Sequence, residues 1–365
     1  MNQLQYIVWD PAKEMFRLPF NDHPIVWYGL LFAMGFILGQ QLMFYIFKAE
    51  NKPKQDVETL TLYMVIATVV GARLGHCLFY DPIGYLSNPL DILKVWEGGL
   101  ASHGAAVGIL SGIYFYSKKK AGQSYLWVVD RVVIIVALAG ALIRFGNYIN
   151  SEIVGKPTNS SNGVVFARSL EEKVAMNSFV EKAEASKSQK LDSLDMQAPV
   201  ILSIDFVPGV NQSQIENYMN TQLYRSLAEL SLVNEPHTLA PTSPTIPYQM
   251  IPATGGRLRA QVVVAGNPRH PAQLYESISS FLLFLLLLYI WSRKKENTPD
   301  GLIFGIFLVI LFGLRFCYEF IKENQEAFED DIPLNMGQWL SIPLVIAGII
   351  ILYRVLTKKG QGTGS

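Results

Sequence analysis

Arg144-Phe-Gly-Asn-Tyr-Ile-Asn-Ser-Glu-Ile-Val-Gly155 closes an apolar run that begins at Tyr125. The run is long enough for a helix to span a bilayer, and such segments ordinarily end in solvated loop. This one ends in an arginine, two asparagines, a glutamate and two glycines. Arginine binds anions through charge-assisted hydrogen bonds, and glycine lets backbone approach a ligand. A helix end with a snorkelling arginine gives the same residues a purely structural reading. The rest of the chain weighs against that reading.

Half of the 365 residues are hydrophobic and only 16% are charged. Several uncharged runs approach the length of a membrane span. The expected fold is therefore an all-α polytopic membrane protein. The formal net charge is zero, so no basic balance points to nucleic acid. Cys77 and Cys317 lie inside apolar runs without metal or redox spacing, which makes packing their expected role. Residues 1–23 are polar and aromatic, without the basic-then-apolar order of a cleavable signal.

Working outward from the signature, seven spans are predicted: Ile25–Phe47, Thr59–Tyr80, Ala101–Ser117, Tyr125–Ile149, Leu274–Trp291, Gly301–Ile321 and Gln338–Val355. Asp130 and Arg131, early in the fourth, are expected at the interface. Cations cluster in alternate loops: Lys48, Lys52 and Lys54, then Lys118, Lys119 and Lys120, then Arg293, Lys294 and Lys295, and finally Arg354, Lys358 and Lys359. Between spans two and three Lys94 stands alone, and after span six Lys322 precedes Glu323, Glu326, Glu329, Asp330 and Asp331. The positive-inside bias puts the N-terminus outside and the C-terminus in the cytoplasm.

Residues 156–268 then form an extracytoplasmic insertion between spans four and five, a small α+β head. It divides a membrane core of residues 1–155 and 269–357, and residues 358–365 form a flexible tail. Ser169 to Lys190 reads as a charged amphipathic helix, Val200 to Val207 as a strand, and Gln212 to Leu230 as a helix. Pro247 to Ile251 and Leu258 to Ala265 read as two further strands, and Gly255-Gly256 as a turn.

Ionisable residues at membrane depth cost roughly 2.5–3.5 kcal/mol each on insertion scales and are functional candidates by default. The predicted topology puts Arg73 and His76 in the outer half of span two and His103 at the outer start of span three. Arg144 and Asn147 stand at the outer end of span four. Arg269, His270 and Glu276 flank span five, and Arg315 with Glu319 ends span six. Trp27 and Tyr28 open span one. Random snorkelling would populate both interfaces, whereas co-location from six spans predicts one polar cavity opening outward. Structural readings stand beside these: Arg73 as an anchor on a Gly71/Gly75 packing face, Trp27 and Tyr28 as belt aromatics, Arg315 with Glu319 as an intrahelical pair, and His103 as an interface histidine. Glu152 reads as a partner orienting Arg144.

Arginines with few compensating acids favour an anionic ligand, and guanidinium suits phosphate because it gives two parallel hydrogen bonds. A cavity reached from lipid points to a phospholipid head group. A histidine or glutamate beside it can take a proton. No serine elbow, paired-histidine metal spacing or glycine-rich phosphate loop is present in the sequence.

The segment from Arg144 to Gly155 resembles the signature of bacterial prolipoprotein diacylglyceryl transferases. Its companions do too: Trp27-Tyr28-Gly29, Gly71-Ala-Arg73-Leu-Gly75, Trp96-Glu-Gly-Gly99 followed by His103-Gly104, Arg269-His-Pro-Ala-Gln-Leu-Tyr-Glu276, Arg315 with Glu319, and Met336-Gly-Gln-Trp-Leu-Ser-Ile-Pro343. They follow the family's order across all seven predicted spans. The resemblance implies a bacterial inner-membrane enzyme that moves the diacylglyceryl group of phosphatidylglycerol onto the lipobox cysteine of a prolipoprotein, without metal or organic cofactor. Thiolate would attack the glyceryl carbon bonded to the phosphate ester, a thioether would form, and glycerol phosphate would leave.

By the same resemblance Arg144 and Arg315 hold the phosphate, and His103 is a base or positioning group. Glu319, Asn147, Glu152 and Tyr28 orient these groups or the lipid. Arg73, Asn150, Arg269 and Glu276 complete the expected substrate site, with Gly155 permitting close backbone approach. The family's His-Gly-Gly is His103-Gly104-Ala105 here, and Leu311 replaces a tyrosine often found one turn before Arg315. A transporter or scramblase of anionic lipid would use the same arginines, but should show broken helices or paired halves. A scaffold whose head recruits secreted partners leaves the buried arginines unexplained.

Overall fold

The structure, a computed structural model, describes residues 6–95, 99, 101–160, 162–188, 198–227, 239–240, 246–252, 257–323 and 332–361. Several expectations fall outside these residues: Trp96, Glu97 and Gly98 of one motif, the Gly255-Gly256 turn, residues 228–230, the acids from Glu326 to Asp331, and residues 362–365.

All seven apolar runs are helical: α1 (Trp27–Ala49), α2 (Lys54–Phe79), a short α3 (Pro82–Ser87) followed by a 3-10 turn (Pro89–Leu93), α4 (Ser102–Lys119) and α5 (Tyr125–Ile149). After the insertion come α8 (Ala272–Lys294), α9 (Leu302–Tyr318) and α10 (Met336–Gln361). Five of them (α1, α2, α5, α8 and α10) are long and apolar enough to cross a bilayer. The 17-residue α9 is apolar but shorter, and the 18-residue α4 carries glycines, serines and lysines. The chain is a multi-pass membrane protein.

It divides into two compact units. The first comprises Met1–Gly29, Arg144–Glu276 and Cys317–Asn335. Its centre is an antiparallel sheet in which β5 (Val180–Lys187), β6 (Pro199–Phe206), β9 (Leu258–Gly266) and β7 (Leu239–Ala240) lie in that order, with β8 (Tyr248–Pro252) also on β9. Strict alternation along β6 buries Val200, Leu202, Ile204 and Phe206. Ala260, Val262 and Val264 of β9 face the same core. Onto it pack Leu170 and Val174 of α6 (Arg168–Ala175), Ile215 of α7 (Gln212–Asn217), and Met219 and Leu223 of the π-helical turn that follows.

The expected helix from Ser169 to Lys190 is corrected: it ends at Ala175, and residues 180–187 are a strand. Asn177 makes the turn, its carbonyl accepting from the Val180 N–H and its side chain from the Phe179 N–H. Pairing with β6 then overrides the helix propensity of Ala, Glu and Lys. The charged residues of β5 suit an edge strand, which must not invite another chain.

The N-terminal segment is tied into this unit. Strand β1 (Tyr6–Trp9) runs parallel to β4 (Gly163–Phe166). Trp9 stacks on Tyr148 at 4.3 Å and donates from Nε1 to the Tyr148 carbonyl at 2.9 Å. Arg269 and Val164 exchange two backbone hydrogen bonds of 2.9 Å.

The second unit comprises Leu30–Ile143, Ser277–Phe316 and Met336–Ser365. Here α2 and α4 meet backbone to backbone. A Cβ on Gly71 would come within 2.5 Å of the Gly104 carbonyl, and one on Gly108 within 3.0 Å of the Gly71 Cα. Small residues at this spacing let helices approach closely without a hydrophobic drive between them.

Asp130 and Arg131, expected at the interface, are fully buried inside protein. The Arg131 Nη2 lies 3.0 Å from both carboxylate oxygens of Glu50, and the guanidinium stacks over Trp127 at 4.5 Å. The Trp291 Nε1 donates to the same Glu50 carboxylate at 2.5 Å. Asp130 accepts from the Gly301 and Phe304 N–H groups at 2.8 and 2.7 Å, satisfying the free donors at the start of α9. Cys77 is buried as expected, whereas Cys317 is exposed.

Candidate active site

The signature ends α5 and turns sharply. Ser151 and Ile153 have positive φ values of 58° and 54°. That is strained for any L-residue and most for a β-branched one. The turn is held by the Glu152 N–H on the Asn147 carbonyl at 3.0 Å, and by Gln273, whose Nε2 donates to the Glu152 carbonyl. Gly155 then packs against backbone. A Cβ there would meet the His270 carbonyl at 2.5 Å and the Ile321 carbonyl at 2.8 Å. The close approach expected of Gly155 is made by these two protein segments.

Three stretches therefore cross at one point. The Gly155 N–H donates to His270, the Lys156 N–H to Ile321, and the His270 N–H to Lys156. The crossing brings the side chains around residues 155, 270 and 322 into one neighbourhood. Burial holds His270 below the ordinary histidine pKa, favouring its neutral form.

Charged groups in this unit form a relay. Arg144 approaches Glu276 through Nε at 2.6 Å. Glu276 also meets Lys322 at 2.8 Å, and Lys322 reaches Glu319 at 3.2 Å. The Glu319 Oε2 accepts from the Asn335 Nδ2 at 3.1 Å. Lys322 and Glu276 are buried, and the Arg144 side chain retains 25% of its exposure. No hydrogen bond runs from either terminal guanidinium nitrogen of Arg144 to any described residue. Arg269, fully buried, pairs with Glu323.

Two expectations change here. Glu276, not Glu152, is the carboxylate that holds Arg144; Glu152 instead accepts from Asn147 at 3.0 Å and Asn150 at 3.1 Å. The cations of this group also do not lack acids, because Arg144, Lys322 and Arg269 are matched by Glu276, Glu319 and Glu323. The sequence marks Lys322 only as a loop cation. Its position three residues after Glu319 was the available signal, since one more helical turn superposes i and i+3. Tyr28 packs against α5 at Gly146, where a Cβ would lie 2.9 Å from its ring and 3.3 Å from its Cα.

The remaining expected residues belong to the second unit. Arg73 is buried and donates to backbone: Nε to Ile92 at 3.0 Å, Nη1 to Gly99 at 3.3 Å and Nη2 to Asp91 at 2.5 Å. It also stacks over Tyr85 at 5.0 Å. This matches the anchoring reading of Arg73. His103 is exposed, with its ring 5.0 Å from Phe79 and 6.1 Å from Tyr80. His76 stacks on the other side of this group, 5.2 Å from Tyr80. Gly99, at φ +68°, leaves room for both His76 and Arg73, whose atoms would lie 2.6 and 2.9 Å from a Cβ. Arg315 is half-buried in the last turn of α9. Among the described residues no group of three His, Cys, Asp or Glu side chains is placed to hold a metal ion.

Apolar spans and a strained polar helix end define a multi-pass membrane protein. The family model for prolipoprotein diacylglyceryl transferase matches residues 14–354, and the chain belongs to that family. It is 34% identical over 354 residues to the phosphatidylglycerol–prolipoprotein diacylglyceryl transferase of Chloroherpeton thalassium, covering 97% of this chain and 96% of the relative. It is 35% identical over 356 residues to the transferase of the same name from Tolumonas auensis, covering 97% and 100%. A third of that name, from Porphyromonas gingivalis, is 33% identical over 357 residues, covering 96% and 95%.

Proposed function

We propose that this chain transfers the diacylglyceryl group of phosphatidylglycerol to the lipobox cysteine thiol of a prolipoprotein, the first step of bacterial lipoprotein maturation. Family membership and the names of full-length relatives support the reaction. The observation that carries the site is the arrangement of Arg144. Glu276 takes its Nε, and its two terminal nitrogens are left to grip an oxyanion in parallel.

In this reading the phosphate of the lipid binds Arg144, and Arg315 shares the charge that grows on it. The substrate thiol loses its proton, and the thiolate attacks the glyceryl carbon next to the phosphate ester. The new C–S bond forms as the C–O bond breaks. The electron pair leaves with glycerol phosphate, where preorganised donors stabilise it. A free thiol has a pKa near about 8.5, so neighbouring cations favour the thiolate. His103 is the candidate base or positioning group. Glu276, Lys322 and Glu319 position Arg144. Asn147, Asn150, Glu152 and Gly155 shape the turn beneath it, and Tyr28 and Arg269 flank it. Arg73 contributes through the segment it anchors.

The topology belongs to the same proposal. Seven spans place the N-terminus outside and the C-terminus in the cytoplasm of a bacterial inner membrane. The site then faces the extracytoplasmic leaflet, where lipobox cysteines emerge. Residues 156–268 form a head between the core segments 1–155 and 269–357, followed by the tail 358–365.

The test is chemical. Purified protein is incubated with phosphatidylglycerol vesicles and a lipobox cysteine peptide. Mass spectrometry should find the diacylglyceryl thioether and an equal amount of glycerol phosphate. Bound phosphatidylglycerol with neither product would instead indicate lipid transport.

A further inference from the structure

Between α2 and α4 the chain carries an exposed apolar face to which no step of the proposed transfer is assigned. Residues 81–93 fold as the short α3 and the 3-10 turn that follows it. Ile83, Leu86, Leu90 and Leu93 are between 68% and 79% exposed. Ile83 and Leu86 are three apart on α3, and Leu90 and Leu93 three apart on the 3-10 turn, so each pair shares a side of its own short helix. Thirteen residues are too few to cross a hydrocarbon core.

The opposite side is fixed and polar. Arg73 donates to the carbonyls of Asp91 and Ile92, so two backbone groups of this segment are satisfied from within the protein. The charges are also settled locally. Asp81 accepts from the Gly84 N–H at 3.0 Å, and Asp91 pairs with Lys94 at 2.6 Å. Tyr80 and Tyr85 flank the start of the segment, as aromatic residues do where a span meets the head groups. The apolar side continues, through Phe79 and Leu78, into the exposed face of α2 at Leu74, Val70 and Ile66. That face belongs to a helix long and apolar enough to span the bilayer.

We propose that residues 81–93 are a membrane-surface anchor. The segment lies flat at the boundary between head groups and acyl chains, with Ile83, Leu86, Leu90 and Leu93 in the lipid and Arg73 pinning its back. A bilayer fits this face better than a protein partner does. All four side chains are exposed, Asp91 is paired with Lys94, and the four extend the exposed apolar surface of a helix long and apolar enough to span the bilayer. The inference does not depend on the transfer reaction.

Site-directed nitroxide labels test it in the full-length protein reconstituted in phosphatidylglycerol-containing vesicles. Cys317 is exposed and is replaced by serine. Single cysteines are placed at Ile83, Leu86 and Leu90, and at Asn88 as the contrast. Collision with oxygen, which concentrates in the acyl region, should exceed collision with an aqueous nickel complex severalfold at positions 83, 86 and 90. At 88 the order should reverse. Nickel access at 86 equal to that at 88 would overturn the proposal. So would protection of 83, 86 and 90 from both reagents, which would assign the face to a protein partner or a second copy.

Discussion

Arg144 meets Glu276 through its Nε at 2.6 Å, and Glu276 is in turn shared with Lys322 at 2.8 Å. One carboxylate thus sits between two cations and constrains the arginine's angle. Glu276→Gln keeps the shape but removes the charge that both cations share. Its transfer rate should fall by up to about 10²-fold, the cost of misplacing a reacting group by an ångström, while the protein stays folded in detergent. A Glu276→Gln rate within twofold of the parent would show that the pairing does not orient Arg144.

Lys322 separates two carboxylates inside the protein. Lys322→Met leaves Glu276 and Glu319 facing one another without their shared cation. Removing one member of a buried ion network costs about 3–5 kcal/mol, so thermal unfolding in detergent should move clearly downward. Lys322→Arg should recover most of the loss, and adding Glu319→Gln to Lys322→Met should recover part of it. Unfolding of Lys322→Met at the parent temperature would mean the bridge contributes nothing.

Glu171 gives the first unit a pH dependence. Burial, reinforced by a hydrogen bond and charge from Asp10, pushes its carboxyl up to about 8. The Ala185 N–H, donating at 2.5 Å, and the Arg168 charge act in the opposite direction. Folded protein therefore keeps a proton that unfolded chain loses near its ordinary value of 4.5. The stability linked to this proton is complete at low pH and falls as pH rises from about 4.5 towards 8. Amide exchange at Ala185, corrected for its intrinsic pH dependence, should show weaker protection at pH 8 than at pH 5. Glu171→Gln should flatten that change; an unchanged profile in the variant would assign it elsewhere.

The α2–α4 contact has no room for a methyl group. A Cβ on Gly104 would overlap the Gly71 carbonyl and lie 2.8 Å from the Gly75 Cα. Gly104→Ala should destabilise the protein by about 1–3 kcal/mol, as overpacking does. Gly313, whose Cβ would meet nothing within 4 Å, should accept alanine with little cost. Equal stability of the two variants would show that the helices separate easily here.

The sequence made the long elements legible because their signals are local. Apolar runs marked all seven helices, and alternation from Val200 to Val207 marked β6. Residues 180–187 were misread because their strand exists only through pairing with β6. The Arg144 signature stands out in composition as a polar end to an apolar run. Its partner was not legible, because Glu276 is 132 positions away in sequence and Glu152 is close by. Lys322 was hidden for the same reason: its burial depends on Gly155 and His270 meeting the chain at Ile321. Arg73 shows the converse. A buried arginine reads as a ligand site until its donors are followed to the carbonyls of residues 91, 92 and 99.

The most direct measurement compares Arg144→Gln with Arg144→Lys in the phosphatidylglycerol and lipobox-peptide assay. Both keep a polar group near Glu276, and neither offers a guanidinium fork. Loss of a preorganised donor set of this kind costs about 10²–10³-fold in rate. Both variants should therefore form thioether at least that much more slowly than the parent, while remaining folded in detergent. Thioether formation at the parental rate by Arg144→Gln would contradict the assignment of the lipid phosphate to Arg144.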